Sequence, residues 1–297
     1  MVYDSLLDYV GNTPLVRFVP KGAQSDIEAF IKLEGCNPTG AVKDRALKHI
    51  LQDKIATGEC TPDTVLLDAS SGSYACSMAF FGKMLGYDVD VTTGSKLTSD
   101  KEWFIRYYGA NLTSVGHFTI EGNRHCQELY KQNPGTYCFL DQLHNWKNVE
   151  AHYTTTGPEI LKDLPDVAAV AFSIGSGGTI AGAGAYLKEK KPDIKIIGVT
   201  SSSGAKIPGT GTFVDGDYVT PFIQQARDDK VIDFTAEVSL ADAQAQIRNL
   251  NDQGFFAGIQ SGAAIAGLLQ GVEALGITGT VAVLSGDAGW KGTASLD

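Results

Sequence analysis

At 297 residues, with 43% apolar and 20% charged side chains, the chain has the make-up of one large α/β unit or two lobes, which excludes a disordered or fibrous protein. A formal net charge of −10 argues against phosphate backbones and anionic lipid as partners, and no apolar run nears the ~20 residues that span a bilayer. The five cysteines are scattered with no CxxC pair, HExxH is absent and the acidic start MVYDSLLDYVGNTPL has no leader pattern, so we expect reduced thiols, no metal site and a cytoplasmic protein.

In chain order, the first element with chemical content is NPTGAVKDRALKHIL. Asn37-Pro38-Thr39-Gly40 reads as a turn into a helix over about 41–56, with Thr39 or Gly40 near its cap. Lys43 then falls in the first helical turn, the wrong end for a cation, and the positive potential there favours the neutral amine that condenses with aldehydes. A strand over 65–69 (VLLDA) runs into Ser70-Ser71-Gly72-Ser73-Tyr74 and a helix over 75–86, an anion cradle suited to a carboxylate. A strand over 89–93 and helices over 99–109 and 122–132 follow, with a change of lobe near 145–150 and a helix over 150–163.

The next strand, 167–174, ends in Gly175-Ser176-Gly177-Gly178-Thr179 before a helix over 179–190. Glycines there let backbone N–H groups approach an anion, and two hydroxyls add donors. GSGGTI lacks the third glycine of a dinucleotide fingerprint, and the next strand (194–200) ends without an acidic residue, so one phosphate of a small cofactor fits better. The Gly-, Ser- and Thr-rich stretch 201–221 is too long for an ordinary connection and reads as a functional loop. Helices over 239–253 and 262–275 and a strand over 281–285 complete the chain. The strands show little alternation, as expected of a largely parallel sheet covered on both faces.

Together these segments resemble the cysteine synthase and cystathionine β-synthase family of fold-type II enzymes dependent on pyridoxal 5′-phosphate (PLP). The resemblance runs nearly end to end: Gly11-Asn12-Thr13-Pro14-Leu15, NPTGAVKDR, HYTTTGPEI (152–160), Gly175 to Thr179, GIQSGAAIAG (258–267) and DAGWK (287–291) stand in the family's order. It implies an α/β fold of two lobes, each a twisted, mostly parallel sheet flanked by helices, with PLP in the cleft. The smaller lobe would be 37–147, carrying the substrate-carboxylate loop; 1–36 and 148–297 would form the larger, carrying the phosphate loop. It implies a Schiff base on Lys43, phosphate binding by Gly175, Ser176, Gly177, Gly178 and Thr179, and substrate α-carboxylate binding by Ser70, Ser71, Gly72 and Gln142. Gly209-Thr210-Gly211 would be the loop facing the cofactor.

Two positions depart from the family pattern. Ser73 stands where an asparagine usually contacts the cofactor oxygen and the substrate, with Tyr74 beside it as a further substrate contact. Gln260 stands where a serine usually meets the pyridine nitrogen. The implied activity is β-replacement on an O-acetylserine-like amino acid by sulfide or a thiol, through an α-aminoacrylate, in a homodimer. The alternatives are β-elimination and a weakly catalytic PLP-binding regulator.

Overall fold

The computed structural model describes residues 2–95 and 97–293; Met1, Lys96 and 294–297, and with them the ends of the expected larger lobe, lie outside it. The first half contains α1 (Leu6–Tyr9), β1 (Leu15–Phe18), β2 (Ile27–Leu33), α2 (Lys43–Ala56), β3 (Val65–Ala69), α3 (Ser73–Leu85), β4 (Val89–Thr93), α4 (Ser99–Tyr107), β5 (Asn111–Ser114), α5 (Thr119–Gln132) and β6 (Tyr137–Phe139). Then come α6 (Lys147–Ala151), α7 (Gly157–Asp163), β7 (Ala169–Ser173), α8 (Gly178–Lys190) and β8 (Lys195–Ser201). The last are α9 (Pro221–Asp228), β9 (Phe234–Val238), α10 (Leu240–Asp252), α11 (Ile259–Leu275) and β10 (Gly279–Ser285).

Two sheets result, and the fold is α/β with two sheet-based lobes. The four-stranded sheet has the order β5-β4-β3-β6, all parallel. The six-stranded sheet has the order β1-β2-β10-β7-β8-β9, parallel except where β1 pairs with β2. Both are covered on two faces, and side chains divide between them with period two. Along β3, Leu66 joins the core under α2 and α3 while Leu67 and Ala69 pack with Cys126 of α5. Along β7, Ala169 and Ala171 face α11 while Val170 and Phe172 face α8. Small residues let α11 lie close on its sheet: a Cβ at Gly267 would sit 2.4 Å from Val199 Cγ2.

A buried ionic cluster ties the beginning of the chain to α2 and α7. Arg45, almost wholly buried, donates to both Glu34 carboxylate oxygens at 2.7 and 2.8 Å and to both Glu159 oxygens at 2.7 Å. Lys32 reaches Glu159 at 2.8 Å and the Thr13 carbonyl at 2.9 Å. Asn37 donates to Glu34 and accepts from the Gly11 N–H, so the turn before Lys43 is anchored to the same cluster.

Several expectations are corrected. The helix read over 150–163 is α6, a π-helical turn at His152–Thr156, and α7. The helix over 41–56 begins at Lys43 with Val42 as its N-cap, not Thr39 or Gly40. β1, β2, β5, β6, β9, α1 and α9 were not expected.

Candidate active site

Lys43 opens α2, and the backbone before it is pinned to the segment after β10: the Val42 N–H donates to the Gly286 carbonyl at 2.9 Å, and Ala41 bridges Asp287. The Lys43 ammonium lies 3.4 Å from Ser176 Oγ. Burial lowers its pKa to about 8. Desolvation is thus the agent, where the sequence suggested the helix terminus; either cause favours the neutral amine.

Ser176 belongs to the loop between β7 and α8, which crosses the cleft facing Lys43. Gly177 takes φ +86°, and a Cβ there would lie 2.4 Å from Ile223 Cγ1. A Cβ at Gly178 would lie 2.1 Å from Asn148 Oδ1. As N-cap of α8, Gly177 offers no side chain, so the first N–H groups of α8 are left for a ligand. The loop is braced from outside by Asn148, which donates to Ser176 Oγ at 3.3 Å, and by Thr220, which donates to the Ser176 carbonyl at 2.6 Å. Thr179 Oγ1 is 3.2 Å from Nε2 of buried His152, whose Nδ1 is 2.8 Å from Thr156 Oγ1. Burial, helped by the nearby Arg45 and Lys43 charges, holds His152 well below the usual histidine range, so it is neutral.

Between the sheets lies a cavity of about 480 Å³ whose walls include Lys43, Ser70, Ser73, Gln142, Ser176 and Gln260. On the small-lobe wall, Ser70 Oγ accepts from the Gly72 and Ala75 N–H groups at 3.0 and 3.1 Å, shaping the start of α3. Ser71 is exposed. Gln142 closes this wall, donating to the Ala69 carbonyl at 2.6 Å. Ser73 and Tyr74 both line the cavity; Tyr74 is 1% exposed, its ring packs in the core of the four-stranded sheet, and its hydroxyl has no partner among the described residues. On the opposite wall, Gln260 donates to the Gly209 carbonyl at 2.7 Å, so this glutamine holds the 201–221 loop. Thr210 also lines the cavity, its hydroxyl buried and unpartnered.

The structure therefore brings Lys43, Gly175, Ser176, Ser70, Ser71, Ser73, Tyr74, Gln142, Gly209, Thr210 and Gln260 around one cavity, with Gly177 and Thr179 lining a small recess beside Lys43. Asn148, Thr220 and His152 brace it and were not named individually; His152 sat in a quoted motif and Thr220 near the end of the 201–221 stretch. The residues fit PLP: a glycine-rich helix start with two hydroxyls, a desolvated lysine 3.4 Å from one of them, and a cavity of about 480 Å³ alongside both. Gly177→Val is accordingly expected to weaken PLP retention at least about tenfold, since φ +86° and the Ile223 contact both oppose a β-branched residue. Equilibrium dialysis of PLP, with circular dichroism to confirm folding, measures this; unchanged affinity would put the phosphate elsewhere.

Fold and site define a class: a two-lobed α/β protein with a cavity between its sheets, a glycine-rich helix start and a buried lysine on the cavity wall. The profile of the family described as "Pyridoxal-phosphate dependent enzyme" matches residues 6–286, and the chain belongs to that family, within its cysteine synthase and cystathionine β-synthase group. Its cofactor is pyridoxal 5′-phosphate. Cysteine synthase B of Escherichia coli (strain K12) is 32% identical over 268 residues, 89% of this chain and 86% of that protein. A hydrogen sulfide-producing enzyme from Fusobacterium nucleatum superimposes with a TM-score of 0.87 at 28% identity, covering 98% of both chains. An O-acetylserine dependent cystathionine beta-synthase from Helicobacter pylori gives 0.89 at 25% identity, over 99% of this chain and 98% of that one.

Proposed function

We propose that the chain catalyses PLP-dependent β-replacement on an activated serine-type amino acid such as O-acetylserine, with sulfide or a thiol as nucleophile. The observation that carries the reading is the desolvated Lys43 ammonium beside the glycine-rich loop, 3.4 Å from Ser176, on a cavity with a second, hydroxyl-rich helix start on its other wall. Bound there, PLP supplies an electron-withdrawing ring that stabilises negative charge at the substrate Cα.

The chain's own residues do the rest. Gly175 to Thr179 hold the phosphate through backbone N–H groups and two hydroxyls. Lys43 holds the cofactor covalently at rest and, once displaced, moves the proton at Cα. The Ser70 to Gly72 turn and Gln142 orient the α-carboxylate at the start of α3. Gln260 and Gly209 to Gly211 fix the opposite face, and the covering lobes limit water. We further propose that 37–147 forms the smaller lobe and 1–36 with 148–297 the larger, that the enzyme works as a homodimer, and that it is cytoplasmic.

The direct test is incubation with O-acetyl-L-serine and sulfide, with the amino-acid product read by mass spectrometry. Cysteine formation supports the reading; pyruvate alone would replace it by β-elimination. Ser73→Asn is expected to raise kcat/KM for this pair by about tenfold, the worth of one charge-assisted hydrogen bond from a longer side chain. A uniform change across all donors would instead mark a tolerant loop.

A further inference from the structure

The cavity has donors that the reading above leaves unused. On the small-lobe wall Lys101 is 3% exposed, lines the cavity, and makes no hydrogen bond or ion pair with any described residue. Three residues earlier, Thr98 Oγ1 is buried without a partner and lines the same wall. Thr98 is the N-cap of the nine-residue helix α4 and has the extended backbone of a capping residue, yet its side chain caps nothing. An N-cap threonine ordinarily accepts from an N–H of the first turn. Here the hydroxyl is left free and the first turn keeps its positive potential.

The stem of Lys101 runs across the start of α3 as well. A Cβ at Gly72, the residue before α3, would lie 2.5 Å from Lys101 Cδ. One unpaired ammonium, one unpaired hydroxyl and two helix starts thus meet on one wall. The charges facing Lys101 are Asp287 and Lys291 from the segment after β10 and Asp100 on its own helix. Asp100 is engaged by the Thr293 N–H and hydroxyl at 3.3 and 3.2 Å. A buried ammonium without an ion pair is costly to the folded state, and a bound anion removes that cost.

We propose that Lys101 and Thr98 form a second anion subsite, distinct from the turn that takes the α-carboxylate, for a carboxylate, sulfonate, sulfate or phosphate group on the substituent that enters or leaves at the substrate β-carbon. The assignment to that substituent rests on the β-replacement reading; the existence of the subsite does not.

The test begins with calorimetric titration of the PLP-loaded protein with inorganic sulfate. Lys101→Met is expected to raise the sulfate Kd at least about tenfold, Thr98→Val to raise it less, and Lys101→Arg to retain binding. Lys101→Met removes an unpaired buried charge and is expected to keep its Tm; should it not fold, the nearly isosteric Thr98→Val carries the measurement. Equal sulfate binding by wild type and both weakened variants overturns the subsite. The source of the anion is then read from kcat/KM. With O-acetylserine as donor, 2-mercaptoethanesulfonate is compared with 2-mercaptoethanol; with sulfide as nucleophile, O-phosphoserine is compared with O-acetylserine. A preference for the charged partner in one arm, reduced about tenfold by Lys101→Met, assigns the group to the nucleophile or to the leaving group. An equal effect of Lys101→Met on all four combinations places Lys101 with the α-carboxylate and overturns the second subsite. Sulfate binding at Lys101 without turnover of any pair upholds the subsite and sinks the β-replacement reading instead.

Discussion

Lys43→Ala is expected to abolish covalent retention of PLP and to lower turnover by about 10²–10⁴-fold, the usual worth of a positioned general base. In the wild type, borohydride reduction followed by peptide mapping should find the cofactor on Lys43. Label on another lysine, or full activity in the alanine variant, would falsify the central assignment. The depressed pKa adds a pH signature. Because burial brings the Lys43 ammonium down to about 8, the neutral amine fraction of the PLP-free protein rises through that value. The rate of PLP capture, followed by absorbance after mixing, is therefore expected to climb between about pH 7 and 9, with its midpoint near 8, and to level off above. An ordinary lysine would keep climbing towards its usual range near 10.4.

The second large effect is on stability. Arg45→Met leaves Glu34 fully buried with its strongest partner gone and strips Glu159 of its bidentate contact. Removing one partner of a buried pair typically costs about 3–5 kcal/mol, a large share of what a domain of this kind has. We expect a Tm drop of several degrees or loss of soluble protein, and with it loss of PLP, since Asn37 and the turn before Lys43 hang from Glu34. A stable Arg45→Met variant would show that the cluster is dispensable. Acid acts on the same cluster. Burial alone would push Glu159 up, but the hydrogen bonds and charge of Arg45, with Lys32, hold it at about 2. A carboxylate depressed in the folded state stabilises above its unfolded pKa, and that contribution is lost as pH falls from about 4.5 towards 2. Thermal melts over that window should decline faster in the wild type than in Glu159→Gln.

The central strands and the two anion-cradling turns were legible because their chemistry is local. VLLDA and VDVTT are continuous apolar or β-branched runs, and β3 and β4 occupy 65–69 and 89–93 as read. The Gly175 to Thr179 loop announces itself by composition alone. β2 was hidden by its own charges: Ile27–Leu33 carries Lys32, which reads as solvent-facing until Glu159, distant in sequence, is seen beside it. β5 is too polar and β6 too short to signal. α9 follows directly on a Gly- and Thr-rich loop, which masks a helix opened by Thr220 and Pro221. The site was legible down to Lys43 but not in its braces. Asn148 and Lys101 have ordinary neighbours in sequence and gain meaning only when the two sheets meet. The depression of Lys43 was foreseen for a partial reason, because burial is not written in local sequence.

The neighbours β2 and β10 at the centre of the large sheet come from opposite ends of the sequence, Ile27–Leu33 against Gly279–Ser285. Their pairing sets an order of assembly. The sheet of β3 to β6 is built from a contiguous stretch and can form while the chain is still being synthesised. The large sheet cannot gain its central strand until nearly the whole polypeptide is available, and long-range pairing of that kind is slow. Until then β2 and β7 present open edges, the condition in which nascent chains associate wrongly. A stalled chain ending before Gly279 should therefore hold a folded small sheet beside an incomplete partner, with the phosphate loop present but Val42 lacking the Gly286 carbonyl that seats it.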